Sequence, residues 1–168
     1  SSDVLVKHLL TLKRCEPINE PNVVVEECKS ERELIKRWSE IISKMDPDIF
    51  YTYNGDSFDC IYLIERAVLC GLASMKQSGS KKVYSGHILS NLSRLTIKQA
   101  EIKEEYFSSS AYGDSKFNRI YIPGRLNYDL LIHYKRGMKK YSSYKLDNIA
   151  SEILKQNKHD VSAKDMFN

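Results

Sequence analysis

The sequence predicts an α/β domain in which helices flank a mixed sheet that also carries an inserted β-hairpin. Two observations lead to this prediction: short runs of β-branched and aromatic residues alternate with helical segments, and a Ser-, Gly- and Asn-rich loop later separates two extended segments. A length of 168 residues suits one hydrophobic core of ordinary size, so we expect a single domain over residues 1–168.

The first predicted elements are two strands and a long helix. Residues 4–13 and 23–25 have strand composition, with a proline-bearing loop between them. The helix begins at Ser30, which forms a capping box with Glu33, and it ends before Pro47. One buried stripe is predicted from the helical spacing of Leu34, Ile35, Trp38, Ile41, Ile42 and Met45.

The middle of the chain predicts a strand, a turn and a helix, followed by a poorly patterned segment. Residues 49–53 read as a strand, and the helical period that begins at Phe58 ends at Gly71. Residues 74–93 are rich in Ser, Gly and Lys, which predicts a long surface connection that has room for one helical turn.

The last third of the chain supplies the inserted hairpin and two helices. Residues 95–107 and 119–122 are predicted strands on either side of the loop at 108–118. One helix begins near Asp129, for which an N-terminal cap is favoured over a role beside a functional site. The final helix places four apolar residues on one face, namely Leu146, Ile149, Ile153 and Leu154.

Composition restricts the protein class without naming a function. Charged residues make up 29% and hydrophobic ones 42%, and no run approaches the roughly 18 apolar residues of a spanning helix, so we expect a soluble intracellular protein with no membrane partner. The four cysteines and four histidines lack zinc-ligand spacing, which predicts reduced thiols. A net charge of +4 permits a polyanionic partner but does not require one.

Asp59 is the residue whose position raises a functional question. It lies at the end of a predicted strand and in the first turn of the next helix, where open α/β sheets place their sites and where the helix dipole favours an ionised carboxylate. A metal ligand fits that position. Two other interpretations stay open: Asn54 and Gly55 could form a hairpin turn, or Asp56 or Asp59 could cap the helix.

Several ordered blocks resemble one known family. The stretch 46–67, DPDIFYTYNGDSFDCIYLIERA, resembles the second exonuclease motif of family B DNA polymerases. LTLKRCEPI upstream, and GRLNYDLL, YSSYKLDNIASEIL and KHDVSAKDMF downstream, resemble the accompanying blocks in the delta-like branch, which includes polymerases of large DNA viruses. The resemblance extends over essentially the whole chain.

The resemblance implies a ribonuclease-H-like 3′–5′ exonuclease domain that removes mispaired nucleotides with two divalent ions, Mg²⁺ or Mn²⁺. It implies that Asp59 is a catalytic metal ligand, that Asn54 and Phe58 contact the single-stranded primer end, and that Tyr53 is a further candidate for the same surface. The implied partners are primer–template DNA with its single-stranded 3′ end, the other polymerase domains and, as a further candidate, a processivity factor. The implied location is the nucleus or a viral replication site.

The departures from the family pattern limit what the chain should do by itself. The Asp-x-Glu motif is expected upstream of Ser1 and the Tyr-x-x-x-Asp motif beyond Asn168, so the domain is expected to be incomplete at both ends, with one of four metal-binding acids. Tyr144 and Asp147 have a spacing of three, so Asp147 is not assigned as a ligand. We therefore expect an inactive, poorly soluble fragment of a longer replicative DNA-directed DNA polymerase.

Two alternative functions remain, and one further segment is of interest. The alternatives are a freestanding exonuclease and an exonuclease-fold DNA-binding or scaffold module without catalysis. Residues 133–145 interleave six cationic or histidine side chains with tyrosines, which suits phosphate contact and base stacking, although solvated lysines on a loop explain the pattern equally well.

Overall fold

The computed structural model describes residues 5–79, 81–109 and 113–156. The predicted block at 158–167 lies outside the described residues. In chain order the elements are β1 (Lys7–Leu12), β2 (Val23–Cys28), α1 (Glu31–Met45), β3 (Ile49–Thr52), α2 (Asp59–Leu69), β4 (Ser74–Ser78), β5 (Lys81–Ser85), α3 (His87–Leu92), β6 (Glu101–Ser109), β7 (Gly113–Tyr121), β8 (Leu126–Asp129), α4 (Leu130–Arg136) and α5 (Leu146–Ile153).

The strands pair two by two within the described ranges. β1 pairs with β2 and β3 with β8, both in parallel, whereas β4–β5 and β6–β7 are antiparallel hairpins. The mixed α/β class is therefore confirmed, and the β6–β7 hairpin is the predicted insertion. Its strands extend into the segment that was predicted to be a loop. Residues 95–100 were predicted to belong to the first strand, but they do not form a strand.

Helix α1 begins and ends where the sequence indicates. The Ser30 hydroxyl accepts a hydrogen bond from the Glu33 amide at 3.2 Å, while the Glu33 carboxylate accepts one from the Lys29 amide at 2.8 Å. The helix ends at Asp46, which adopts a left-handed conformation with φ 46°. The prediction that Met45 is buried is wrong: its side chain is 57% exposed, because the chain turns away immediately after it.

Residues 74–93 form a hairpin and a short helix rather than a surface connection, so that prediction is wrong. The hairpin strand β4 is exposed, but α3 buries Ile88, Leu89 and Leu92 in the core. Six residues are too few for helical periodicity to be recognised in a sequence. Gly86 precedes α3 with φ 140°, and a Cβ there would lie 2.8 Å from the Ala73 Cα, so the entry to α3 requires glycine.

The hydrophobic core lies between α1, α2, α3, β5 and β7. Its buried residues are Ile35, Ile42, Ile64, Ala67, Tyr84, Ile88, Leu89, Leu92, Ala100, Ile120 and Ile122. Trp38 packs against this cluster while remaining partly exposed, in line with its predicted place on the buried stripe. On α5 only Ile149 of the four predicted apolar positions is buried. Within the described ranges no helix is both long enough and apolar enough to cross a membrane.

A buried arginine joins the ends of four elements near the core. Arg125 precedes β8 and donates hydrogen bonds to the Leu92 carbonyl at 2.9 Å, the Pro47 carbonyl at 2.6 Å and the Asp46 carboxylate at 2.7 Å. The amide of Leu126 donates to the Asp48 carbonyl at 2.8 Å, which sets the register in which β8 meets β3. These contacts place the two parallel strands side by side.

Candidate functional site

The β3–β8 pair defines one edge of the molecule at which two helices begin. Thr52, the last residue of β3, lies opposite Asp129, the last residue of β8. Helix α4 follows β8 directly, and α2 follows β3 after the turn at residues 53–58. Because parallel strands place their carboxyl ends at one edge, both helix N-termini lie where α/β folds hold their sites. Strand β8 was not predicted from the sequence. Because β8 pairs with β3, two strands define this edge, whereas the sequence indicated one.

The Asn-Gly pair makes a strand-to-helix turn and not a hairpin. Asn54 is left-handed with φ 63°, and its carbonyl accepts a hydrogen bond from the Phe58 amide at 3.1 Å. The Gly55 carbonyl accepts one from the Cys60 amide at 2.9 Å. Gly55 is buried, and a Cβ on it would lie 2.5 Å from the Thr52 Cβ, so no other residue fits without displacement.

Asp129 caps α4 as predicted and also holds the turn. Its Oδ1 accepts hydrogen bonds from the Leu131 amide and the Asn54 amide, both at 2.9 Å, and its Oδ2 accepts one from the Asp56 amide at 3.2 Å. The side chain is only 7% exposed, and three backbone donors compensate for its burial. Sequence reasoning found the cap but not the contact with the turn, because that contact joins residues about 75 positions apart.

Asp56 is the buried acid of the turn, with 1% exposure. The Asn127 side-chain amide donates to its Oδ1, and the Arg119 Nε lies 3.6 Å from its Oδ2. Burial raises the pKa of the Asp56 carboxyl; the hydrogen bond from Asn127 opposes that rise, and the charge of Asp129 adds to it. From the sequence, Asp56 was a candidate for a helix cap and for no other role. An acid between Gly and Ser is typical of an exposed turn, so its burial was not predicted.

Asp59 differs from both neighbouring acids because it is exposed. It is the first residue of α2, whose N-cap is Phe58, and no side chain caps this helix. The described residues place no hydrogen-bond donor on its carboxylate. Neither Asp56 nor Asp59 therefore caps α2, so the capping alternative is wrong for both residues. An exposed carboxylate remains at the positive end of a helix.

Cys60 shows that the three acids lie near one another. Burial raises the pKa of the Cys60 thiol to about 12, with further contributions from the charges of Asp56, Asp59 and Asp129. The thiol is therefore protonated at neutral pH, which excludes it as a nucleophile. Burial is the main cause of the raised pKa of Cys60, and the charges of the three acids add to it.

The predicted strand-contacting residues differ in their availability. Phe58 is 66% exposed and Asn54 is also exposed, and both belong to the turn that leads to Asp59. Tyr53 is partly buried, and its hydroxyl donates to the Tyr144 carbonyl at 2.7 Å. Burial raises the pKa of Tyr53. Its hydroxyl thus holds the segment that precedes α5.

A divalent ion would find one ligand at this edge. Asp59 supplies the hard carboxylate oxygen that Mg²⁺ or Mn²⁺ accepts, whereas both oxygens of Asp129 accept backbone amides and Asp56 is fully buried, with its Oδ1 bound to Asn127. Among the described residues, no group of three or more His, Cys, Asp or Glu side chains is arranged to hold a metal ion. Asp59 therefore fits a metal site as one ligand that needs others.

The segment 133–145 packs its rings together beside this edge. Successive ring centroids lie 5.4–5.9 Å apart along the series Tyr51, Tyr128, His133, Tyr134, Tyr141 and Tyr144. Lys139 lies over the Tyr141 ring at 4.7 Å and pairs with Glu152 at 3.5 Å. These contacts account for much of the aromatic pattern by internal packing.

Asp147 is exposed in the first turn of α5.

Comparison with known proteins defines the class. The family model for the exonuclease domain of DNA polymerase family B matches residues 2–149, and the chain belongs to that family, as its motifs indicated. Exonuclease domains of this family use divalent metal ions.

The relatives narrow the class to a branch. The chain is 33% identical over 156 residues to the DNA polymerase delta catalytic subunit of Glycine max, with 93% of the chain and 13% of the relative covered. It is 35% identical over 150 residues to the DNA polymerase of Pyramimonas orientalis virus, covering 88% of the chain and 11% of that protein. The delta catalytic subunit of Dictyostelium discoideum is 31% identical over 160 residues, covering 95% of the chain and 13% of the relative. The chain thus spans about an eighth of the length of these relatives.

Proposed function

We propose that residues 1–168 are part of the proofreading 3′–5′ exonuclease domain of a replicative DNA-directed DNA polymerase that acts in the nucleus or at a viral replication site. The observation that carries the proposal is the Asp59 carboxylate, which is exposed at the N-terminus of α2 and makes no hydrogen bond to the described residues. The family and the delta-type relatives support the assignment to a polymerase.

In this proposal Asp59 holds one of two divalent ions, Mg²⁺ or Mn²⁺, which when bound activate water and stabilise the leaving oxygen. Phe58 offers an exposed ring against which a base of the single-stranded 3′ end packs, and Asn54 offers a side-chain amide for a hydrogen bond. Tyr53 is a further candidate for the same surface, and its hydroxyl donates to the Tyr144 carbonyl.

The remaining ligands of that site are not among the described residues, so the proposal includes two consequences. The 168-residue chain alone does not hydrolyse DNA, and activity requires the other domains of the parent polymerase. Its substrate there is the single-stranded 3′ end of a primer–template, and a processivity factor is a further candidate partner of the parent.

The test is Asp59→Ala in the complete polymerase. We expect degradation of a 3′-labelled single strand to fall by roughly 100-fold or more, because loss of even an outer partner of a metal site reduces activity about 10- to 100-fold. Nucleotide addition should be unchanged. Asp147→Ala is the matched control, since Asp147 is also an exposed acid in the first turn of a helix.

The same experiment separates the alternative function. A module that only binds DNA or acts as a scaffold would show no single-strand degradation in the parent protein, with or without Asp59. Undiminished degradation by the Asp59→Ala polymerase would reject the assignment of Asp59.

A further inference from the structure

Three elements converge on the buried carboxylate of Asp56. It belongs to the turn between β3 and α2, whereas Asn127, which donates to its Oδ1, lies on β8. Arg119, whose Nε lies 3.6 Å from its Oδ2, lies on β7 of the inserted hairpin. The turn is therefore connected by side chains to the hairpin as well as to its own sheet.

The connection continues across both strands of the hairpin. The Nη1 of Arg119 lies 3.4 Å from the Glu105 carboxylate on β6, and the Tyr121 hydroxyl on β7 also donates to Glu105. Asp56, Arg119 and Glu105 thus form a line of alternating charge from the turn to the far strand of the hairpin. The side chain of Asp56 is fully buried, whereas Arg119 and Glu105 are about 29% and 28% exposed.

A buried acid at this position is costly for the fold. Burial raises the pKa of the Asp56 carboxyl, and the neighbouring charge of Asp129 raises it further. Buried ion pairs commonly contribute little net stability compared with apolar side chains of similar size, but they fix which groups face each other. The arrangement therefore specifies where the turn sits relative to the hairpin.

We propose that Asp56 is a positioning residue which, through Arg119, ties the β6–β7 hairpin to the turn that presents Asn54 and Phe58. This inference rests on the proposed function of the site. Asp56 acts through the backbone of the turn and touches neither metal nor DNA. Loosening it displaces Asn54 and Phe58, whereas Asp59 is carried by α2, which the Arg66–Glu31 pair holds at its other end. Its loss therefore weakens substrate binding more than the chemical step.

The test measures kcat and KM of the complete polymerase for degradation of a single-stranded oligonucleotide. We expect Asp56→Ala and Arg119→Gln each to raise KM about tenfold, because a misplaced turn binds the 3′ end less tightly in the ground state and in the transition state alike. The value of kcat should stay within about twofold. The double variant should be no worse than the stronger single variant, because both break the same connection.

Two further variants keep the proposal falsifiable if Asp56→Ala fails to fold. Arg119→Lys retains the positive charge and should give a KM near that of the wild type. Glu65→Gln is the matched control: Glu65 on α2 pairs with Lys82 of the other hairpin at 2.8 Å, and its loss should leave KM unchanged.

The outcomes separate this inference from the proposed function. An unchanged KM in Arg119→Gln, or a KM raised equally by Glu65→Gln, would overturn the positioning role while Asp59→Ala still abolished degradation. If Asp59→Ala left degradation intact, the proposed function itself would fail, and the positioning role would fall with it.

Discussion

Helices α2 and α4 both begin at the edge formed by the paired parallel strands β3 and β8. Each has an Asp at its N-terminus, but one Asp is buried and caps its helix, whereas the other is exposed and does not. Asp129 precedes α4, is buried, and directs its oxygens at the amides of α4 and of the neighbouring turn. Asp59 is already the first residue of α2, where it is exposed and makes no capping bond. A shift of one position relative to the helix start thus separates a structural acid from one available to a ligand.

Helix α2 has no side-chain cap at its N-terminus, but several contacts fix its C-terminus. Gly71 has φ 68°, its amide bonds the Val68 carbonyl and the Leu72 amide bonds the Ala67 carbonyl, which together form a Schellman motif. Arg66 in the last turn also pairs with Glu31 at the start of α1. Helix α2 is therefore fixed at its C-terminus, and its N-terminus can present a carboxylate without depending on it.

The largest effect should come from Asp129→Ala. The variant loses a helix cap, worth about 1 kcal/mol, and leaves the amides of Asn54 and Asp56 without their charged acceptor. We expect the free energy of unfolding to fall by about 3 kcal/mol, measured by denaturant titration of the purified chain. Asp147→Ala should change it by less than about 0.5 kcal/mol. Equal effects of the two variants would contradict the role assigned to Asp129.

Gly55→Ala should cause the next largest loss of stability. The added Cβ would lie 2.5 Å from the Thr52 Cβ, so the turn or β3 must move. Overpacking of this kind costs about 1 to 3 kcal/mol. Gly137→Ala is the control because Gly137 has φ −66° and its nearest non-neighbouring atom would lie at 3.4 Å. Thermal unfolding of the two variants checks the difference, and a Gly55→Ala chain as stable as Gly137→Ala would show that the turn is not tightly packed.

The sequence predicted the parts of this edge that follow from local pattern. The run at 49–53, the turn at Asn54 and the helical period after Phe58 place Asp59 correctly, because each depends on neighbours within a few residues. The resemblance to the polymerase motif depended on the same local blocks, which is why the order of residues alone was enough to indicate the family.

What the sequence could not predict depends on distant partners. Strand β8 has only four residues, and it is a strand because it pairs with β3 about 77 positions earlier in the chain. Asp56 gave no signal because burial by Asn127 and Arg119 is a tertiary property. Helix α3 was missed since its apolar residues occupy fewer than two turns.

The ion pair between Arg66 and Glu31, which holds the C-terminal end of α2, depends on pH. The hydrogen bond from Arg66 holds the pKa of Glu31 below its ordinary value of 4.5, so the folded state favours the ionised carboxyl. The pair therefore stabilises the fold above about pH 4.5 and stops doing so as the pH falls through the lowered pKa. Glu31→Gln should lower the thermal midpoint at pH 7, and this deficit should shrink below about pH 4.5.

Arg66→Gln should reproduce the same pH profile, because it removes the other partner of the pair. The double variant should match either single variant. A deficit that is constant from about pH 7 to about pH 3 in both variants would show that the side chains contribute by packing and not by charge.

The smallest effect on stability should belong to Asp59→Ala, the change expected to abolish degradation. Its carboxylate makes no hydrogen bond to the described residues, so the loss is limited to its interaction with the α2 dipole, about 0.3 to 1 kcal/mol, partly offset by the higher helix propensity of Ala. Denaturant titration beside Asp129→Ala measures the contrast. A loss as large as that of Asp129→Ala would mean that Asp59 serves the fold, and the fall in degradation could then be assigned to local unfolding. If Asp59→Ala leaves the free energy of unfolding nearly unchanged, the fold does not require this carboxylate, and binding of a metal ion is the role that remains.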